Sequence, residues 1–361
     1  MMAEKVLEHA PATSRAIRAT KPQLGFLGVG WIGRNRLEAI ANQGAADVAY
    51  VADPAPQNTA EALQSAPTAV AVDSLAAMLA EPDLAGVVIA TPSALHAAQS
   101  VQALAAGKAV FCQKPLGRTA AEVRQVVAAA RAADKLLGVD LSYRHTAAMQ
   151  RVYEVVQSGE LGQIYAVELV FHNAYGPDKP WFYDPQQSGG GCVIDLGVHL
   201  VDLALWALSF PTVQRVSSAL FAKGQPLTDP ATQVEDYATA SLALASGTHV
   251  QLSCSWNLPA GQEAIISATF YGTQGGVAFK NVKGSFYDFV ADRYYGTRTE
   301  RLSTPPDAWS GRAGAVWAER LAQGETFSPE AEEFVRVAEV LDSIYGRGTS
   351  PQPPLQKRGG A

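Results

Sequence analysis

"GFLGVGWIG" (residues 25–33) decides how the first third of the chain folds. An apolar run ends in a G-x-G-x-x-G string formed by Gly28, Gly30 and Gly33. A helical pattern opens at Trp31, inside that string, and continues to about Asn42. The next apolar run, "DVAYVAD", ends at Asp53, 20 residues after Gly33. A strand, a glycine turn, a helix and a second strand closing on an acid make the layout that holds a dinucleotide. Gly28 permits the tight turn, Gly30 lets a pyrophosphate approach the backbone, and Gly33 lets helix and strand pack closely. The phosphates would meet the free N–H groups at the helix start, around Trp31 and Ile32, and the positive end of the helix dipole. Asp53 would accept from the adenosine ribose hydroxyls. An acid there repels a 2′-phosphate and Pro54 offers no charge to bind one, so the expected cofactor is NAD rather than NADP.

Outward from this turn, apolar runs alternate with helical patterns. "AGVVIAT", "AVFCQ" and "KLLGVDL" read as further strands; "APQNTAEALQS", "SALHAAQSVQALAAG" and "AAEVRQVVAAARAAD" read as helices. Near-continuous apolar strands separated by helices imply a parallel sheet covered on both faces, the doubly wound arrangement. Ligands of such sheets lie at the carboxyl ends of the strands. Thr91, Pro92 and His96 therefore share a rim with Gln113, Lys114 and Pro115. A lysine there faces the nicotinamide side of the crevice.

With 361 residues the chain is too long for one ordinary core, and two domains are expected. A formal net charge of −6 without any block of Lys or Arg argues against a nucleic-acid partner. Cys112, Cys192 and Cys254 are far apart in sequence and form no CxxC pair, so neither a disulfide framework nor a zinc knuckle is expected. Residues 1–21 lack the apolar core of a secretory signal and read as an N-terminal arm, and no stretch of about 20 residues reads as apolar enough to cross a bilayer. These features point to a cytoplasmic protein. Residues 22–141 read as the nucleotide-binding domain, 142–325 as a substrate and oligomerisation domain, 326–346 as a closing helix, and 347–361 as a Pro- and Gly-rich tail.

After Leu141 the pattern changes. "TAAMQRVYEVVQSGELG" is an amphipathic helix, and "QIYAVELVFHNAYG" alternates like a half-exposed strand. "YATASLALASGTHVQLSCSWN" and "AIISATFYGTQGGVAFKN" read as hairpins, so an α+β domain with a large open antiparallel sheet is expected. An uncovered sheet of this size points to a homodimer or homotetramer. Between these strands "SGGGCVIDLGVHLVDLALWALS" carries Asp195, His199, Asp202 and Trp206 at spacings of four, three and four, on one helix face. Asp195 one turn from His199 could tune the imidazole as a general base. Asp202 reads as a structural hydrogen-bond partner and Trp206 as core. The remaining histidines supply no metal-ligand spacing, so no metal is expected. Tyr143, Arg144, His172, Asn173 and Trp181 flank these segments. They are candidates for substrate contacts: Trp181 against a sugar ring, His172 and Asn173 at hydroxyls, Arg144 at a carboxylate.

In this combination the sequence resembles the family of glucose–fructose oxidoreductase, inositol dehydrogenase and MocA-like dehydrogenases. "GFLGVGWIG", Asp53, "TPSALH", "GKAVFCQKPLG", "SGELGQI" and "SGGGCVIDLGVHLVDLALW" carry the resemblance in order, over residues 22 to 348. It implies a Rossmann domain joined to an α+β domain, and hydride transfer at a carbinol carbon of a sugar, cyclitol or sugar derivative. It places the catalytic lysine, aspartate and histidine on Lys114, Asp195 and His199, and implies a cis bond before Pro115. The family usually has glutamate where this chain has Gln113, which removes a negative charge beside the lysine. Two other functions remain open on the sequence. One is a glycoside-cleaving enzyme that oxidises its substrate transiently and recycles NAD; the other is a non-catalytic nucleotide sensor.

Overall fold

The computed structural model describes residues 21–347. The N-terminal arm and the Pro- and Gly-rich tail lie, but for Lys21 and Arg347, outside the described residues. The first sheet comprises β1 (Gln23–Leu27), β2 (Asp47–Ala52), β3 (Val70–Ala71), β4 (Leu84–Ile89), β5 (Ala109–Cys112) and β6 (Leu137–Val139). All neighbours run parallel, in the order β3-β2-β1-β4-β5-β6. The order reverses between β1 and β4, the place where such sheets open a crevice. The helices α1 (Trp31–Gln43), α2 (Pro56–Ser65), α3 (Leu75–Leu79), α4 (Ser93–Ala105) and α5 (Ala120–Ala133) join the strands. β3 and α3 were not legible in sequence, because two and five residues are too short to show a period. The fourth helix of the set that was legible, α5, starts where Thr119 accepts from the Glu122 N–H, and ends on Asp134 at φ 49°.

The second sheet follows α6 (Ala147–Gln157). It is entered by β7 (Ile164–Asn173), and the chain then leaves through α7 (Pro185–Ser188) and α8 (Val198–Ala207). It returns as β8 (Val213–Ala222), β9 (Gln225–Pro226), β10 (Tyr237–Leu244), β11 (His249–Ser255), β12 (Ala264–Gly272), β13 (Gly275–Asn281), β14 (Phe289–Tyr295) and β15 (Arg298–Ser303). The nine strands lie in the order β15-β14-β13-β12-β7-β11-β10-β8-β9. Both expected hairpins form, β10–β11 and β12–β13. The expected antiparallel sheet has one parallel seam, where β7 and β11 pair with His172 opposite Ser255. A parallel neighbour requires a crossover, and the α7–α8 excursion begins it.

Two helices tie the halves together. α9 (Arg312–Ala322) lies within the 142–325 stretch, yet its Ala313, Trp317 and Ala318 join the core on the first sheet. Trp317 packs on Phe111 with ring centroids 5.7 Å apart, and a Cβ on Gly138 would come within 2.7 Å of the indole. α10 (Glu332–Ile344) packs between α5 and α8.

The reading that no stretch is apolar enough to span a membrane is also corrected. An 18-residue window within residues 185–207 passes by length and composition, with a mean hydropathy of 1.5. That window is 89% buried, so the apolarity is that of a central helix packed between sheet and α10. Cys192 and Cys254, remote in sequence, are brought to an Sγ–Sγ separation of 3.8 Å as buried free thiols.

Candidate active site

The glycine turn has the geometry its pattern predicts, and each glycine has a different reason. Gly28 sits at φ 81°, where a Cβ would also lie 2.6 Å from the Ala90 carbonyl oxygen. A Cβ on Gly33 would stand 2.0 Å from the Gly28 oxygen, so α1 can approach β1 only through a glycine. Gly30 has ordinary extended backbone, and a Cβ there would meet only Asn58 Nδ2 at 3.8 Å. Nothing in the protein requires glycine at 30; open space beside the start of α1 is what a pyrophosphate needs. Asp53 accepts from the Val29 N–H at 2.8 Å, the Ala55 N–H at 2.9 Å and Asn58 Nδ2 at 3.0 Å. The acid thus braces the turn from the next strand, and Asn58, which the sequence did not single out, joins it. These residues fit a dinucleotide.

A cleft of about 630 Å³ runs from this turn along the strand ends. Gly30, Trp31, Ile32 and Gly33 line one end, and Thr91, Pro92, His96, Gln113 and Lys114 its floor. His96 is buried, with Nδ1 at 2.7 Å from the Pro115 carbonyl and Nε2 at 2.6 Å from that of Thr91. It ties together the two loops that follow β4 and β5. The bond between Lys114 and Pro115 is cis, as the resemblance implied.

Lys114 Nζ donates to Asp195 twice, at 2.6 Å to Oδ1 and 2.7 Å to the main-chain oxygen. The Trp256 indole N–H donates to the other carboxylate oxygen at 3.1 Å. The expected Asp195–His199 pairing is therefore corrected: Asp195 is engaged by Lys114 and Trp256. The physical reason is local. Residues Val193–Gly197 form a π-helical turn before α8, so the α-helical spacing behind the pairing does not hold there. His199 lies one turn on, buried, its ring edge-on to Tyr143 at 4.9 Å, with Nδ1 unpartnered among the described residues. Burial, and then the neighbouring Lys114 and Arg36 cations, hold its imidazole well below the usual value.

Gln113 and the missing carboxylate also find an account. A negative charge is present nearby, on Asp140 after β6. Gln113 Nε2 donates to Asp140 Oδ2, which also accepts from Arg36 Nε at 2.6 Å, all three being buried.

Of the substrate-contact candidates, Trp181 and Asp195 line the cleft and His199 does not; Trp181 stacks on Phe182 with centroids 3.8 Å apart. Tyr143 is corrected to core, enclosed by Phe171, Phe279, Phe289 and Trp309, and burial pushes its phenol up. Arg144 is corrected to a structural cation. It makes a two-toothed pair with Asp202 at 2.8 and 2.5 Å, with Glu333 at 3.0 Å, and lies over Trp206. That pair gives Asp202 its expected structural role, and Trp206 stacks on Tyr153. His172 is corrected to the outer sheet face: Val167, Leu169 and Phe171 point into the core, and His172 bonds Ser255 Oγ at 2.8 Å. Asn173 is corrected to a strand-end role, its Oδ1 accepting from the Tyr175 N–H. Among the described residues no group of three His, Cys, Asp or Glu could hold a metal ion.

Sequence also gave no sign of Glu235, which is fully buried under the start of the helical segment that carries Asp195. It accepts from the N–H groups of Gly191 and Val193 and from the Tyr345 hydroxyl. Gly191 is required by the backbone of the same residue: a Cβ there would stand 1.8 Å from the Glu235 main-chain oxygen.

A family model described as "Oxidoreductase family, NAD-binding Rossmann fold" matches residues 23–141, and the GFO/IDH/MocA C-terminal domain matches residues 149–278. The chain belongs to the GFO/IDH/MocA oxidoreductase family. It is similar to D-glucoside 3-dehydrogenase of Escherichia coli (strain K12), 32% identical over 215 residues, 56% of this chain and 61% of that protein. It is also similar to D-apiose dehydrogenase of Paraburkholderia graminis, 28% identical over 316 residues, 86% of this chain and 80% of that one. Among solved structures, levoglucosan dehydrogenase in complex with NADH and L-sorbose superposes with a TM-score of 0.77. That match is 20% identical, covers 91% of this chain and 97% of the other, and shows the shared fold. This member of the GFO/IDH/MocA family thus has an NAD-binding first domain and the family's second domain built on a mostly antiparallel sheet.

Proposed function

We propose that the protein is a sugar or cyclitol dehydrogenase that moves a hydride between NAD and a carbinol carbon. The observation that carries this reading is Lys114, whose ammonium is fixed by Asp195 in the cleft that begins at the glycine turn. Bound NAD supplies the hydride acceptor. Lys114 has three N–H donors and spends two on Asp195, leaving one for the reacting oxygen. That donor stabilises the charge developing on the oxygen as its proton leaves. His199, held neutral beside Lys114, takes the proton. Trp181 offers a flat apolar face to the sugar ring. The names of the relatives, a glucoside and an apiose dehydrogenase, support this substrate class. Asp53 favours NAD over NADP. The outer sheet face, covered by no helix among the described residues, supports a homo-oligomer.

The test is NADH formation with a panel of aldoses, cyclitols, glycosides and sugar acids. Absence of NADH across the panel, with NAD bound, would sink this reading in favour of internal cofactor recycling.

Three further outcomes are expected. Gly30→Ala should fold as stably as the parent, since its Cβ meets nothing closer than 3.8 Å, while NAD affinity falls by about tenfold or more. Gly33→Ala should instead lower the melting temperature of the free protein, its Cβ having no room. Thermal melts with and without NAD separate the two. For the oxidation direction, the low pKa of His199 keeps the imidazole in its basic form at and below pH 6.5. The acid limb of kcat/KM should therefore lie below the ordinary imidazole range; a limb at about 6.5 or higher removes His199 as the base.

A further inference from the structure

We propose that Asp140 is a positioning residue that turns the Gln113 amide so that its carbonyl oxygen faces the cleft, where it accepts a hydrogen bond from the nicotinamide half of the dinucleotide. The inference rests on the cofactor placement proposed above. Asp140 and Gln113 come from neighbouring strand ends, and Asp140 Oδ2 lies against Gln113 Nε2 and 2.6 Å from Arg36 Nε. A carboxylate only accepts, so the amide NH2 must turn toward it and the amide oxygen away. That oxygen has no partner among the described residues, and Gln113 lines the cleft between the glycine turn and Lys114. Asp140 is 1% exposed, and its Oδ1 is buried without a hydrogen bond. A carboxylate so incompletely satisfied is a poor source of stability, and an apolar residue would cost less. Its one full use is to hold Gln113 and Arg36.

Asp53 and Asn58 mark the adenosine end of the cleft and the glycine turn its phosphates, so Gln113, beside Lys114, lies past both. The donor it meets is a ribose hydroxyl or the carboxamide N–H of the nicotinamide half.

Titration of the whole chain with NAD, ADP-ribose and ADP tests this, with melting temperatures recorded for every variant. Asp140→Asn lets the Gln113 amide turn either way. NAD affinity should fall about tenfold while ADP, which ends before Gln113, binds unchanged. Gln113→Glu places two carboxyls together. Protonated, the new group donates to Asp140 and still presents a carbonyl to the cleft; ionised, it can only accept, so it loses the bond to Asp140, is repelled by it, and its oxygen is no longer held toward the cofactor. In that variant NAD affinity should fall as pH rises, while the parent stays flat. The surrounding charged and titratable groups, Arg36 of α1, His96 of α4, Cys112 at the end of β5, Lys114 after it, His145 in the turn before α6, and Asp195 and His199 on the helix, are common to both proteins. Combining Gln113→Glu with Asp140→Asn should restore affinity and remove the pH dependence, because the amide at 140 then donates to the carboxylate at 113. Loss with ADP-ribose as with NAD assigns the donor to the ribose, and loss with NAD alone to the carboxamide. The proposal is overturned if NAD and ADP weaken together, or if Gln113→Glu shows no pH dependence. Failure of the parent to bind either nucleotide would instead overturn the cofactor reading.

Discussion

Lys114→Ala is expected to lower kcat by about 10²–10⁴ while leaving the affinity for NAD nearly unchanged. The lysine makes no contact that holds the glycine turn or Asp53, so the adenosine and pyrophosphate end of the cleft should remain formed. What is lost is a donor aimed where charge develops, in a site only partly open to water: the Lys114 and Asp195 side chains are 20% and 14% exposed. Lys114→Arg should not rescue turnover. The guanidinium keeps the charge but spreads its donors over a planar fork, which cannot bond both Asp195 oxygens from the position of one ammonium. Asp195→Asn separates the two functions, because it keeps a side-chain oxygen for Lys114 and removes the charge that fixes the ammonium. Its kcat should fall less than that of Lys114→Ala. Single-turnover rates alongside NAD titrations check all three. A Lys114→Ala enzyme within about tenfold of the parent kcat would overturn the role given to the lysine.

The parts of the site that sequence disclosed are those whose constraint is local. At the glycine turn, backbone sign, close approach and ligand space each fall on one residue, so a short string carries all three. Lys114 was legible because a strand end and a proline place it on the rim. The Asp195–His199 pairing failed because an α-helical repeat was assumed across Val193–Gly197, where the turn widens. His172 is a different kind of miss. The alternation of Val167, Leu169 and Phe171 into the core already puts His172 on the other face, and strand parity could have excluded it. Tyr143 and Arg144 were drawn to the crevice by their nearness to a strand end, but the chain turns there into the aromatic core and the Asp202 pair. Trp256, Asp140 and Glu235 reach the site from distant strands and loops. No repeat or spacing near them announces a partner that tertiary packing alone supplies.

Glu235→Ala is expected to cost roughly 3–5 kcal/mol of stability and to abolish most activity with it. The Gly191 and Val193 N–H groups open the segment that carries Asp195, and a helix start buried without acceptors is costly. Glu235 satisfies both, at 3.1 and 2.8 Å, and takes the Tyr345 hydroxyl at 2.7 Å from the end of α10. Burial pushes its carboxyl above the usual value, and these donors offset only part of that rise. Alanine leaves the donors facing a void that the glycine run cannot close, since Gly190 and Gly191 already touch Tyr345 and the Glu235 main chain. Glu235→Gln keeps the shape and, with its oxygen at the Oε1 position, still accepts from the Val193 N–H, the Gly191 N–H and the Tyr345 hydroxyl; only Oε2, which shares the Gly191 N–H, is replaced by a donor, so its cost should be less than half as large. Tyr345→Phe removes one bond and should cost about 1 kcal/mol. Asp195 stands two residues beyond Val193, so the order of stability loss, Ala above Gln above the Tyr345 change, should recur in kcat. Urea midpoints and rates measured on the same preparations test this ranking. A Glu235→Ala protein as stable as the parent would mean that water, rather than the carboxylate, satisfies the start of the catalytic helix.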